Sequence, residues 1–220
     1  MIIEKKFEDF FVLNWLREFL VGHKGAICGG CFKNIFNGEK VKDLDVFFRS
    51  YSDWYDATEY FDQRTEGYLG EDKEPPEYRF YYENANVKAY KHIKTGVVVE
   101  LCCKIFGTAK EIIDSFDFTI TKFAVVTENS ADLGDLDEWE EPDLETKVYC
   151  DDKFFEHLHL KRTVIDNKIP YPMSTFERML RYAKYGYHPC RETKLKLVKA
   201  LRELNESEVE VSASLYEGVD

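Results

Sequence analysis

The stretch Val41 to Phe48, VKDLDVFF, constrains the chain more than any other. It alternates and ends apolar, as a β-strand with one face in a core does. In such a strand Asp43 and Asp45 project together from one face while Leu44 enters the core. Two like charges held side by side resist ionising together unless a cation joins them. Mg²⁺ (or Mn²⁺) suits that place, since it prefers oxygen ligands and usually keeps phosphate oxygens in its shell. Two ions clamped by paired carboxylates stabilise the attacking and leaving oxygens of an in-line phosphoryl displacement. The chain supplies its own control. Asp135-Leu136-Asp137 has the same pattern but runs into Glu138-Trp139-Glu140 with no apolar strand behind it, which marks it as surface.

Gly29-Gly30 stands a short helix ahead of that strand, directly after the apolar Ala26-Ile27-Cys28 and before a predicted helix from Cys31 to Phe36. Glycines there let backbone amides approach a triphosphate closely, where the first turn of the helix adds a favourable dipole. An ordinary tight turn would use the same two residues. Cys28-Gly29-Gly30-Cys31 is also a C-x-x-C before a helix, the layout of a thiol redox site, but that reading leaves the acid pair unexplained. A zinc site built on the same cysteines would need Cys102 or Cys103, and adjacent cysteines chelate one tetrahedral ion poorly.

Composition narrows the function classes. In 220 residues, 44% are hydrophobic and 33% charged, the balance of a folded chain with a real core. The net charge of −12 argues against a DNA-coating protein, which needs cations to neutralise phosphates. The charge is uneven: from Lys161 to Arg202 eleven basic residues stand against three acidic ones, a local +8. No apolar run approaches the roughly 20 residues of a membrane helix, and Met1 to Lys6 lacks the pattern of a secretory signal. We therefore expect a cytoplasmic protein with reduced cysteines and no membrane partner.

Periodicity predicts a helix over Phe7–Val21, a helix over Ser52–Gln63, and strands at Tyr78–Tyr82, Val87–His92 and Val97–Lys104. A short helix over Thr108–Asp114 and a strand over Phe116–Val126 follow. Glu128 to Glu145 holds nine acids and no base, a solvated loop. Phe154–Leu160 fits helix or strand. Pro170 and Pro172 suggest a linker, with helices at Thr175–Tyr185 and Thr193–Leu204. The expected organisation is an α/β domain over residues 1–160, with the acidic loop at 128–145 and a basic helical segment over 161–220. Arg178, Arg181 and Lys184 recur every three residues on the first of those last helices, a solvated basic face or a set of triphosphate ligands.

These elements resemble the polymerase-β-type nucleotidyltransferase superfamily, whose signature is hG[GS], then D-h-[DE], then an acid on a later strand. Ile27-Cys28-Gly29-Gly30 and Asp43-Leu44-Asp45 match the first two parts. Glu100 in Val99-Glu100-Leu101 or Asp117 in Phe116-Asp117-Phe118 supplies the third, with Glu100 favoured by its order along the chain. Asp117-Phe118-Thr119-Ile120 is similar to the D-F-T-I of tRNA CCA-adding and poly(A) polymerase head domains, and the arrangement resembles small phage-encoded proteins of this fold. The resemblance implies a mixed, mostly antiparallel sheet flanked by helices, with a short helical C-terminal segment. It implies transfer of a nucleoside monophosphate from a nucleoside triphosphate to a hydroxyl on RNA, protein or a small molecule. It assigns Asp43, Asp45 and Glu100 to Mg²⁺, Gly29, Gly30, Lys33, Arg178 and Arg181 to the nucleotide, and a host-cytoplasmic setting if phage-encoded. Lys33-Asn34 replaces the Arg-Asp that follows the glycines in the tRNA enzymes, and no E-D-x-x-R base-reading motif is present. CCA addition is thus not expected, and a non-catalytic module binding nucleotide, RNA or protein is the alternative.

Overall fold

In the computed structural model, which describes residues 1–65, 75–129, 144–166 and 169–204, eight strands form one sheet. In chain order they are β1 (Ile2–Lys6), β2 (Ala26–Cys28), β3 (Asp43–Phe48), β4 (Tyr78–Glu83), β5 (Val87–His92), β6 (Val98–Phe106), β7 (Phe123–Asn129) and β8 (Leu144–Asp151). Their spatial order is β1-β8-β7-β2-β3-β6-β5-β4. Every neighbouring pair is antiparallel except β3 with β6. The helices are α1 (Cys31–Phe36), α2 (Tyr51–Thr65), α3 (Ala109–Asp114), α4 (Phe154–His159), α5 (Pro172–Lys184) and α6 (Arg191–Arg202). A short parallel ladder, β9 (Arg162–Thr163) with β10 (His188–Pro189), brackets α5. The mixed, mostly antiparallel sheet flanked by helices is the fold class expected from the sequence.

Strand alternation gives the sheet two unequal faces. Ile27, Leu44, Val46, Val99, Leu101, Phe123 and Val125 enter the larger core, where they meet Phe32, Phe61 and Phe154 from α1, α2 and α4. Ala26, Cys28, Phe47, Cys102, Ala124 and Tyr149 point the other way, against Ala109, Ile112 and Ile113 of α3. A capping box fixes the start of α3: the Glu111 N–H donates to Thr108 Oγ1, and the Thr108 N–H donates to Glu111 Oε2 at 2.9 Å. Six residues of helix span about 9 Å, so α3 covers only part of its face. The remainder stays open, and Asp43 lies on it, exposed.

Several elements depart from the sequence reading. The N-terminal stripe is not α-helical but forms 3₁₀ segments at Phe7–Asp9 and Phe11–Phe19. Leu13, Leu16 and Phe19, all buried, recur every three residues, which matches the three-residue turn of that helix. Phe116 to Thr121 is not a strand: it makes only an isolated bridge from Phe118 to Ile165 and includes a 3₁₀ turn at Thr119–Thr121, with β7 beginning only at Phe123. Glu128 and Asn129 belong to β7, and Leu144 and Glu145 to β8, so the acidic stretch is framed by a hairpin pair of strands. Its middle, including Asp135 and Asp137, lies outside the described residues. Pro172 opens α5 instead of marking a linker, a position where its missing N–H costs nothing. Among the described residues no helix is long and apolar enough to cross a membrane.

Candidate active site

The turn after β2 is shaped by Gly29. Its φ is +99°, a region side chains rarely adopt, and its N–H donates to the Phe123 carbonyl at 3.0 Å. A Cβ at this position would stand 3.3 Å from Asp45 Oδ2. The glycine thus lets the turn lie directly against the carboxylate strand. Gly29→Ala is expected to cost about 1–2 kcal/mol of stability from backbone strain alone. Urea denaturation checks this, and an unchanged midpoint would show that the turn relaxes freely. A Cβ at Gly30 would stand 3.3 Å from the Tyr182 hydroxyl, so α5 closes over the second glycine.

The one parallel pairing of the sheet among the described strands brings the acids together. Asp43 aligns with Val98 and Asp45 with Glu100. Residues paired across neighbouring strands share a face, so Asp43, Asp45 and Glu100 all project from the side that α3 leaves partly open. The same row continues through Cys28 on β2 and through Ala89 and Tyr82 on β5 and β4. Asp45 and Glu100 face each other across the ladder, and each influences the other's carboxyl. Burial, and then the neighbouring Glu100 and Asp43, push the Asp45 carboxyl well above its usual range. Burial also raises Glu100, against the opposing influence of a hydrogen bond from Tyr82. Such repulsion is relieved by a shared proton or by a cation.

A hard divalent ion fits the chemistry of this donor set, which is all carboxylate oxygen on one open face. Among the described residues no group of three or more His, Cys, Asp or Glu converges closely enough to enclose an ion. The surrounding thiols do not compete for the role. All six cysteines are free. Burial, followed by the charge of Asp45, raises Cys28, Cys31 and Cys102 far above the range of a reactive thiolate.

The other predicted site residues are placed differently. Asp117 is almost fully buried in the turn before β7, where Arg178 of α5 donates to its Oδ2 from Nε at 2.9 Å and from Nη2 at 2.6 Å. This corrects the reading of Asp117 as a strand acid: its carboxylate is taken by a guanidinium, and Arg178 is correspondingly engaged. Lys33 is buried rather than turned to solvent. Its ammonium donates to Asn34 Oδ1 and to Glu39 Oε2, and it lies near the rings of Tyr185 and Tyr187. Arg181 is half-buried on α5 beside Tyr182.

Three residues at the site escaped the sequence reading. Tyr82 donates to Glu100 Oε1 at 2.7 Å. Lys104 is exposed, and its charge favours ionised Asp45. Tyr182 packs between Gly30 and Phe118.

The model of the Gabija anti-defense 2 family matches residues 3–161, which take in Gly29, Gly30, Asp43, Asp45 and Glu100. The chain belongs to the Gabija anti-defense 2 family. No curated protein sequence matches it. Among solved structures, the chain is similar to a Thermotoga maritima CCA-adding enzyme complexed with tRNA, at 15% identity and a TM-score of 0.56, over 92% of this chain and 47% of that one. It is similar to a CCA-adding enzyme with CTP at 14% identity and 0.55, over 96% and 49%. A tRNA nucleotidyltransferase with a primer tRNA and an incoming ATP analogue matches at 16% identity and 0.50, over 93% and 55%. These likenesses establish a nucleotidyltransferase fold for this member of the family. The chain spans about half the length of the structures it matches.

Proposed function

We propose that the chain is a metal-dependent nucleotidyltransferase, moving a nucleoside monophosphate from a nucleoside triphosphate to a hydroxyl acceptor with release of pyrophosphate. The observation that carries this reading is the alignment of Asp45 with Glu100 across the β3–β6 ladder, beside Asp43 and against the Gly29 turn. Asp43, Asp45 and Glu100 would hold Mg²⁺ or Mn²⁺. Such an ion, when bound, offsets charge on the triphosphate and acidifies the acceptor hydroxyl. The backbone of Gly29-Gly30 binds the triphosphate where no side chain intervenes. Glu100, with its carboxyl raised by burial, takes up the acceptor proton. Lys104 and Arg181 offer positive charge to the departing pyrophosphate.

The solved neighbours that contain CTP or an ATP analogue support a nucleoside triphosphate as donor, and those with tRNA support RNA among the acceptors. The family description supports a role against the Gabija defence. A second reading, a non-catalytic module that binds nucleotide, RNA or protein, draws on Lys33-Asn34 replacing Arg-Asp and on the closed Asp117–Arg178 pair.

Incubation with each α-³²P-labelled nucleoside triphosphate, Mg²⁺ or Mn²⁺, and extracts of cells with and without Gabija separates the two. Transfer is expected to one fraction and to vanish in Asp43→Ala. Absence of transfer from every nucleotide, with folded protein, would select the binding module.

A further inference from the structure

Tyr82 belongs to the edge strand β4, two strands away from Glu100. Tyr82 pairs with Ala89, and Ala89 with Glu100, so all three side chains leave the same face of the sheet. Two strand spacings are about 9–10 Å, beyond the reach of any short side chain. The gap is bridged because the central position is alanine, fully buried and without bulk above Cβ. Tyr82 passes over it and its hydroxyl donates to Glu100 Oε1 at 2.7 Å. A bulge in the β4–β5 register, between the pairs Phe80–Tyr90 and Tyr82–Ala89, sets Tyr82 in this row.

We propose that Tyr82 is a positioning residue for the metal site, holding the Glu100 carboxylate so that its other oxygen is presented beside Asp45. This inference rests on the nucleotidyltransferase reading above. The choice of side chain supports it. A lysine or arginine at position 82 would span the same gap but would itself neutralise Glu100 and compete with a bound cation. A phenol donates one hydrogen bond and leaves the carboxylate charge available. Hydrogen-bonded partners of metal-ligating groups fix ligand orientation, and their removal typically costs 10–100-fold in metal affinity or activity. Tyr82 has no place in the catalytic steps themselves.

The test compares wild type and Tyr82→Phe, a change that removes one oxygen from a half-buried ring and leaves the packing intact. Mn²⁺ binding is measured by the loss of its free-ion paramagnetic resonance signal, and nucleotide transfer is titrated against Mg²⁺. The expected result is a rise of about tenfold in the metal concentration needed for half-saturation. At saturating metal, KM for the nucleotide should stay within about twofold of wild type and the melting temperature should be unchanged. Ala89→Val, which fills the gap while keeping Tyr82, should shift the metal titration in the same direction. If wild type binds Mn²⁺ and transfers nucleotide but Tyr82→Phe titrates identically, the positioning role is wrong and the active-site reading stands. If nucleotide affinity and metal affinity fall together with thermal stability, Tyr82 is merely structural and the inference is again overturned. If wild type neither binds Mn²⁺ nor transfers nucleotide, the underlying reading fails and takes this inference with it.

Discussion

Asp45→Asn is expected to reduce nucleotide transfer by about a thousand-fold or more and, in metal-free solution, to raise the melting temperature by a few degrees. The two effects share one cause. Asp45 is half-buried beside Glu100 and Asp43, and burial with those two charges raises its carboxyl. The folded-state pKa therefore lies above the unfolded value of about 3.9. A carboxyl raised in this way binds its proton more tightly when folded, so its contribution to stability is present at low pH and is lost as pH rises through the folded pKa. Wild type without metal should accordingly lose stability from about pH 4 upward until Asp45 is ionised. Asparagine removes that slope along with the charge. Thermal melts at several pH values, with and without Mg²⁺, check the prediction: Mg²⁺ should stabilise wild type at neutral pH and leave the variant unmoved. A variant that is active, or that melts lower than metal-free wild type, would show that the carboxylate is not held under repulsion for a cation. The trade of stability against activity is common where a site stores unfavourable charge.

Arg178→Ala should have the largest effect on folding, about 3–5 kcal/mol of destabilisation, because it strands the nearly buried Asp117 carboxylate without its partner. Urea denaturation measures it, and a chain of this size should lose roughly 10 °C in melting temperature. Asp117→Asn combined with Arg178→Met should recover much of the loss, since no uncompensated charge remains. That double variant is the decisive comparison. Arg178→Ala with wild-type stability and weakened nucleotide binding would instead return Arg178 to the triphosphate, with Asp117 its resting partner. The pair also ties α5 to the turn before β7, so its loss should loosen the wall that Tyr182 forms beside Gly30.

The sheet-and-helix class and the shared face of Asp43 and Asp45 were legible because both follow from local periodicity. A strand needs only its own residues to place i and i+2 together. Glu100 and Asp117 could not be separated on the same terms. Both sit between apolar neighbours, and the difference is that Asp117 occupies a turn whose carboxylate meets an arginine 61 positions away. The surroundings of Lys33 could not be read for a similar reason: its cover comes from Tyr185 and Tyr187, more than 150 positions along the chain. Tyr82 was invisible because its reach to Glu100 depends on a bulge and on Ala89 between them. Strand β1 went unread since its outer residues are charged, and it exists by pairing with β8, where Ile2 meets Asp151 from far along the chain. The 3₁₀ segment differs from these, because its three-residue repeat was present in the sequence beside a broader helical stripe.

The β3–β6 ladder has a consequence for the order in which the protein folds. Asp45 and Glu100 are 55 positions apart and meet in the sheet's one parallel pairing among the described strands, which no tight hairpin can nucleate. The β5–β6 hairpin, closed by Gly96 at φ +74°, forms from nearby residues and presents β6 as a ready edge. Strand β3 docks on that edge only after the loop-closure entropy of the whole intervening segment has been met. During synthesis β3 leaves the ribosome before β6, its parallel partner, exists. The carboxylates are then scattered and solvated, and the nascent chain carries no centre able to attract a divalent ion. Repulsion between Asp45 and Glu100 acts against this same closing step, so Mg²⁺ should accelerate refolding in wild type and have no such effect once Asp45 is replaced by asparagine.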